Sequence, residues 1–293
     1  MGGKFKHFIF VAKFYISFML CIHENRQIIS RIAPTPSGFL HTGNAYNFLL
    51  TYLYTRSKNG FLYLRIDDYD VTRYQRQYVQ NIFDVLEFLG VDYDGGARSV
   101  LEFESKFSFK HRFEIYKKEL LRLDDTYFCD CTKKTPNAYV DGVYTGLCRD
   151  KNLKYEKDKT ALRINTNGEI YLGDFVLFKK DDMPSYNFAS VVDDELLGVN
   201  FIVRGEDLNE CSAAQIYLAK KLGFRFFDAK IIHHELLIKD GKKLSKSSNA
   251  PAINLKEDPK IYYSLVAKRL KLNPGCADSL SNLLYEFQTK ISF

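Results

Sequence analysis

Residues 31–44 read RIAPTPSGFLHTGN, a short β-prone run that passes through a proline- and glycine-bearing loop into the start of a helix. Ile28 to Ile32 favours a buried strand, Pro34 and Pro36 exclude helix, and Ser37 and Gly38 permit a tight turn. A helix is expected to begin near His41, with Gly43 letting a ligand approach the backbone closely. The free N–H groups at such a helix end carry a partial positive charge of about half a unit, which suits a phosphate, and His41 adds a donor beside them. The segment therefore reads as an anion site, or, on the plainer alternative, as an ordinary strand-to-helix turn.

The rest of the chain bounds what that site can serve. Its 293 residues leave room for one large or two modest domains, and a hydrophobic content of 46% excludes general disorder. The net charge of +6 permits a polyanionic partner without requiring one. Cys21, Cys211 and Cys276 are scattered, whereas Cys129, Cys131 and Cys148 share one short segment. That clustering suggests a metal site in a reducing compartment, hence the cytoplasm, more than a disulfide framework. Residues 1–27 form an apolar, aromatic N-terminal extension to which no role is assigned. Lys13 interrupts the run, no small-residue cleavage site follows, and it falls short of the ~20 apolar residues of a membrane span, so no membrane association is expected.

Periodicity predicts a helix from Asn44 to Ser57 closed by Lys58-Asn59-Gly60, then a strand from Phe61 to Ile66. Strand, helix, strand is the first crossover of a doubly wound parallel sheet, whose ligands lie beyond the carboxyl ends of the strands, where Asp67, Asp68 and Asp70 fall. Further helices are expected over Thr72 to Leu89, capped by Asp70 or Thr72, over Lys106 to Leu123, and over Ser212 to Leu222. Gly173 to Leu177 is expected to restart the sheet, Pro184-Ser185-Tyr186 to open a helix, and Asn200 to Val203 and Lys230 to Ile238 to add strands. Arg204 ends one of these strands, an expensive place for a guanidinium without a partner; Glu206 and Asp207 are candidates. His233 and His234 should face opposite sides, and neither is given a catalytic role. The fold class is thus α/β: a Rossmann-like domain split into 28–100 and 171–239, an insertion over 101–170, and a short helical region over 240–293 with a Pro274-Gly275 turn.

Downstream, Gly241-Lys242-Lys243-Leu244-Ser245-Lys246-Ser247 is a flexible glycine followed by lysines and hydroxyls, suited to wrap a polyphosphate. Taken together, HTGN and KLSKS resemble the HIGH and KMSKS signatures of class I aminoacyl-tRNA synthetases. LRIDDYD, PSYNFASVVDD and VRGEDL are similar to blocks of the glutamyl branch, so the resemblance spans Ile28 to Leu270. It implies activation of L-glutamate by ATP with Mg²⁺ and transfer to tRNA. His41, Lys243 and Lys246 would be catalytic; His41, Gly43, Asn44, Ser245 and Lys246 would bind ATP. Arg31, Ala33, Thr35, Asp67, Tyr186 and Arg204 would hold glutamate, with Asp193 and Asp194 near the adenylate. Asp67 stands where the family usually has Glu, one methylene longer, so the backbone moves in, a water bridges, or affinity falls. The insertion would grip the RNA.

Cys129-x-Cys131 followed by Tyr144-x-x-x-Cys148 resembles the zinc signature of a truncated branch, the glutamyl-Q tRNA(Asp) synthetases. Three thiolates and one further donor satisfy tetrahedral zinc, and a metal lowers a phenol's pKa enough to make tyrosine a reasonable ligand. Tyr139 or water could take the fourth position instead, and three buried free cysteines around a core tyrosine is the plain alternative. This branch implies one structural Zn²⁺, the queuosine base in the anticodon of tRNA(Asp) as acceptor, a monomer, and no anticodon-binding domain after KLSKS. The competing readings are a truncated glutamyl-tRNA synthetase core charging tRNA(Glu) and a non-catalytic paralogue that binds tRNA or amino acid.

Overall fold

The computed structural model describes residues 26–239, 242–243 and 251–291. β1 (Ile29–Ile32) leads through the proline loop to α1 (Thr42–Arg56), and β2 (Phe61–Leu64) returns parallel to β1, Ile29 beside Phe61 and Ile32 beside Leu64. The turn between them needs Gly60, where a Cβ would lie 2.8 Å from the Ile28 carbonyl oxygen. α2 (Arg76–Phe88) then reaches β3 (Gly95–Gly96), again parallel to β2.

The polypeptide next leaves this sheet. α3 (Phe113–Leu120) precedes an antiparallel sheet of β4 (Thr126–Cys129), β7 (Ala161–Ile164) and β8 (Phe175–Phe178), with a small hairpin, β5 (Tyr139–Val140) and β6 (Val143–Tyr144), between β4 and β7. α4 (Tyr186–Leu196), capped by the Ser185 side chain, leads to β9 (Phe201–Gly205), α5 (Asn209–Leu222) and β10 (Lys230–His234), with β9 and β10 parallel. Asn200 lays this second ladder beside the first: its N–H donates to the Ile29 carbonyl at 3.0 Å, and its side chain bonds the Ile29 N–H and the Gln27 carbonyl, each at 2.9 Å. A short antiparallel pair, β11 (Ile238–Lys239) and β12 (Lys242–Lys243), follows, and α6 (Lys260–Arg269) and α7 (Leu280–Lys290) close the described chain.

Strand alternation sends side chains to two cores. Ile32, Leu62, Leu64, Phe201 and Val203 pack with α1, α2, α6 and α7, whereas Ile202 packs with α4 and α5. Buried leucines such as Leu49 and Leu53 each stabilise the first core by about 1.5–3 kcal/mol. A third, small cluster holds Cys129, Cys131, Ala138, Tyr144 and Cys148. Among the described residues no helix is long and apolar enough to cross a membrane.

Four local expectations are corrected. The helix expected from Thr72 begins at Arg76, because Asp70 spends its carboxylate on Thr72 and Arg73, each at 2.6 Å, instead of capping it. The helix expected over Lys106 to Leu123 is broken at Ser108, which is extended (ψ 147°) and donates to Asp68 at 2.6 Å; a π turn precedes it and a 3₁₀ turn follows. Phe175–Phe178, expected to restart the parallel sheet, pairs antiparallel with β7. The strand expected to reach Ile238 stops at His234, and Ile238 instead opposes Lys243.

Candidate functional site

The carboxyl ends of β1 and β9, the first turn of α1 and the start of α4 enclose a cavity of about 260 Å³. Arg31, Ala33, His41, Gly43, Asn44, Tyr186 and Arg204, all singled out from the sequence, line it. His41 is itself the N-cap of α1: its Nδ1 accepts the Gly43 N–H at 3.1 Å, while Asn44 Oδ1 accepts the His41 N–H at 3.0 Å. HTGN is therefore a capping box built from histidine and asparagine. With Nδ1 accepting, the neutral ring carries its proton on Nε2. No acidic residue lies in the first turn, so the positive helix end is left for an anion.

Arg204, at the end of β9, is 3% exposed. Its Nη1 donates to Gln215 Oε1 at 2.9 Å and Ser212 Oγ at 3.3 Å, while Nε and Nη2 have no hydrogen-bond partner. Neither Glu206 nor Asp207 pairs with it; its partners come from α5. Burial pushes its pKa down, partly offset by the Tyr186 phenol and reinforced by the like charge of Arg31. A buried cation with two orphaned donors on a cavity wall is chemically matched to a carboxylate.

Arg31 is fixed from behind by Asp194, whose Oδ1 accepts from Arg31 Nε at 3.0 Å and from Arg65 Nη1 at 2.7 Å. Asp67 does not line the cavity: its carboxylate is gripped by Arg65 at 2.7 and 3.0 Å and is 1% exposed. Burial raises its pKa against the opposing pull of Arg65. Thr35 is also absent from the lining. Asp193 is also buried away from this cavity, accepting Arg112 Nε at 2.7 Å and Nη2 at 3.1 Å, the Tyr116 hydroxyl at 2.7 Å, and the Tyr69 hydroxyl. The two aspartates are thus struts beneath the wall.

Asn47, Asp207 and His234 are among the lining residues not assigned to the site from sequence. Asn47 sits one turn after Asn44 on α1, a spacing that could have flagged it. Its Nδ2 meets His234 Nε2 at 3.0 Å, and His234 Nδ1 meets the Glu235 carbonyl at 2.9 Å, which sets the tautomer with the proton on Nδ1. Burial lowers the His234 pKa. His233 faces the other way, to Ser212 Oγ at 2.8 Å. Ser245 and Lys246 lie outside the described residues, and Lys243 is described only as backbone in β12. The described residues flanking them come to the site: Leu236 and Leu237 line the cavity, and the Ile253 N–H donates to the Leu40 carbonyl at 2.9 Å.

The cysteine segment folds as one knot. Cys129, Cys131 and Cys148 are buried, with their sulfurs within 4.8 Å of one another. The Tyr144 oxygen is 3.3 Å from Cys129 Sγ and 3.6 Å from Cys131 Sγ, and Cys131 and Cys148 Sγ are 3.4 Å apart. Zinc bonds of about 2.3 Å to sulfur and 2.0 Å to oxygen call for donor separations of that size. The Tyr139 hydroxyl accepts from Arg163 at 2.7 Å. Burial, the hydrogen bond shared with Cys148 and the nearby Cys129 charge push the Cys131 thiol to about 11, against the opposing pull of Tyr144. A divalent cation would reverse that repulsion.

A family model described as tRNA synthetases class I (E and Q), catalytic domain, matches residues 27–139 and 148–259. The chain belongs to that family. The stretch between the two matched segments carries Tyr144. A glutamate–tRNA ligase of Sulfurihydrogenibium sp. (strain YO3AOP1) is 33% identical over 263 residues, covering 78% of this chain and 54% of the relative. A glutamyl-Q tRNA(Asp) synthetase of Pseudomonas entomophila (strain L48) is 34% identical over 251 residues, covering 78% and 80%. The chain thus spans about half the length of the glutamate–tRNA ligases it matches. The crystal structure of a glutamate tRNA ligase from Elizabethkingia meningosepticum CCUG26117 in complex with its amino acid superposes with a TM-score of 0.66 at 22% identity, covering 90% of this chain and 65% of that one. At that identity the likeness shows the fold.

Proposed function

We propose that the protein activates L-glutamate with ATP and Mg²⁺ and transfers it to the queuosine base in the anticodon of tRNA(Asp). The observation that carries the first half is Arg204, a buried guanidinium with two unpartnered donors on the cavity wall. The reacting carboxylate of glutamate must stay open to the α-phosphate, so the bidentate grip of Arg204 suits the side-chain carboxylate. Glutamine in that position would leave the guanidinium charge unpaired, a discrimination worth several kcal/mol. Arg31, Ala33 and Tyr186 complete the amino-acid subsite. Thr35 and Asp67 stand behind it, and Asp67, held by Arg65, acts on the ammonium across a water.

The α-carboxylate attacks the α-phosphate and pyrophosphate leaves. Growing negative charge is met by the α1 N-terminus with Gly43 and Asn44, by His41, and by Lys243, Ser245 and Lys246 from the KLSKS loop. A hydroxyl of the acceptor then attacks the adenylate carbonyl and AMP departs. Cys129, Cys131, Cys148 and Tyr144 hold one structural zinc, which ties the insertion together and takes no part in the chemistry.

Two observations favour queuosine as acceptor. The Cys/Tyr donor set resembles that of the glutamyl-Q branch, and relatives bearing that name match at 34% and 33% identity over about four fifths of their length. Exchange of labelled pyrophosphate into ATP, run with each amino acid in turn and tRNA present, tests the activation step. Glutamate alone should support exchange; exchange with another amino acid, or with none, contradicts the reading.

A further inference from the structure

We infer that Arg163 is the counter-charge of the Cys129–Cys131–Tyr144–Cys148 centre, a guanidinium placed in the fold to make an anionic metal-ligand set tolerable inside the protein. The inference rests on reading that centre as a zinc site. It adds a residue outside the ligand set and a reason for it.

Arg163 lies in the middle strand of the antiparallel sheet and is 5% exposed. Its Nη1 donates to the Asp174 carbonyl at 3.0 Å and its Nη2 to the Tyr139 hydroxyl at 2.7 Å, while Nε has no hydrogen-bond partner. It makes no ion pair among the described residues. The Asp174 carboxylate is already committed to Arg149 at 2.6 and 2.9 Å and to the Thr166 N–H at 2.9 Å. A buried charge without an opposite charge is among the most expensive arrangements a fold can hold. The guanidinium is instead laid over the Tyr144 ring, its Cζ 3.8 Å from the ring centroid.

Charge counting on the other side closes the argument. Three thiolates around a divalent cation leave one negative charge, and a phenolate as fourth ligand leaves two. In a low-dielectric knot that excess needs a neighbour of opposite sign. Lys151 and Lys180 are solvated side chains drawn to Asp130, at 3.8 Å from its carboxylate and 2.5 Å from its carbonyl. Arg163 is the buried one. The cation over the ring face favours the phenolate of Tyr144. Partners of this kind, one step outside the ligands, commonly change metal affinity by about 10–100-fold.

The test compares Arg163→Lys with Arg163→Gln, since both discard the planar fork and only the second discards the charge. Zinc affinity is measured by competition with a chromophoric chelator, circular dichroism of the zinc-loaded proteins checks the fold, and cobalt(II) spectra report tetrahedral geometry. Arg163→Lys should stay within about threefold of wild type, and Arg163→Gln should bind zinc about 10–100-fold more weakly. Adding Tyr144→Phe to Arg163→Gln should cost less than the product of the two single losses, because half of the excess charge that Arg163 answers is then gone. Equal affinity of the lysine and glutamine variants, or strict multiplication in the double variant, overturns the role of Arg163. Wild-type protein that binds no zinc overturns the metal reading itself, a separate result.

Discussion

Replacing Arg204 by methionine separates substrate recognition from folding. In the ligand-free protein the guanidinium carries two unsatisfied buried donors, each costing about 1–3 kcal/mol, so Arg204→Met removes about 2–6 kcal/mol of penalty. Against this stand the bond to Gln215, whose loss leaves a buried amide oxygen unpaired at about 1–3 kcal/mol, and the weaker one to Ser212, worth about 1 kcal/mol net. The variant should therefore melt at the wild-type temperature or above it. With substrate the balance reverses, because a carboxylate bound in the same pocket loses its partner at a cost of about 2–5 kcal/mol. At about 1.4 kcal/mol per decade that is a rise of roughly thirtyfold to several thousandfold in the KM for glutamate. The assay is glutamate-dependent pyrophosphate exchange over a range of glutamate concentrations, with the KM for ATP as internal control and a thermal melt beside it. A glutamate KM within threefold of wild type in a folded variant would refute the reasoning.

Lys246→Ala should lower the exchange rate by about 10²–10³-fold while leaving the melting temperature unchanged, since the lysine meets charge only in the transition state; unchanged exchange would remove it from the mechanism. Elemental analysis should find one zinc per chain, and stripping it with a chelator should expose residues 101–170 to protease while the parallel sheet stays protected. Asp194→Asn leaves Arg31 and Arg65 sharing an uncharged partner inside the protein. It should destabilise the fold by about 3–5 kcal/mol and raise the glutamate KM by about tenfold or more, read by denaturant unfolding and exchange kinetics. A loss of stability with an unchanged KM would make Asp194 a strut of the fold only.

The sequence was most readable where local chemistry decides structure. Pro34, Pro36 and Gly38 mark a loop, and HTGN marks a helix start, because those preferences need no distant partner. The histidine cap could not be foreseen, since Asn44 and His41 close their box only once the turn exists. Distant ties account for most of the other differences. Ser108 breaks a helical pattern because Asp68, 40 residues earlier, holds it. Asp67 entered the glutamate subsite through the family resemblance; what the sequence did not reveal is that Arg65, two residues away, holds its carboxylate in a geometry that α4 supports through Ser190 and Asp194. Phe175–Phe178 has the composition of a buried strand, and composition does not say which sheet will take it. Arg204, a charge at the end of a buried strand, called for a partner, but the acidic neighbours in sequence, Glu206 and Asp207, do not supply it; Gln215 and Ser212 on α5 do.

The measurement that bears most directly on the proposed function offers the enzyme ATP, Mg²⁺ and labelled glutamate with tRNA(Asp) that either carries or lacks queuosine, and with tRNA(Glu) alongside. Label should enter only the queuosine-bearing tRNA(Asp) and, after nuclease digestion, should stay with the anticodon nucleoside and not with the 3′-terminal adenosine. Equal labelling of the two tRNA(Asp) preparations, or labelling of tRNA(Glu) at its periodate-sensitive end, would contradict the account and make the protein a glutamyl-tRNA synthetase core.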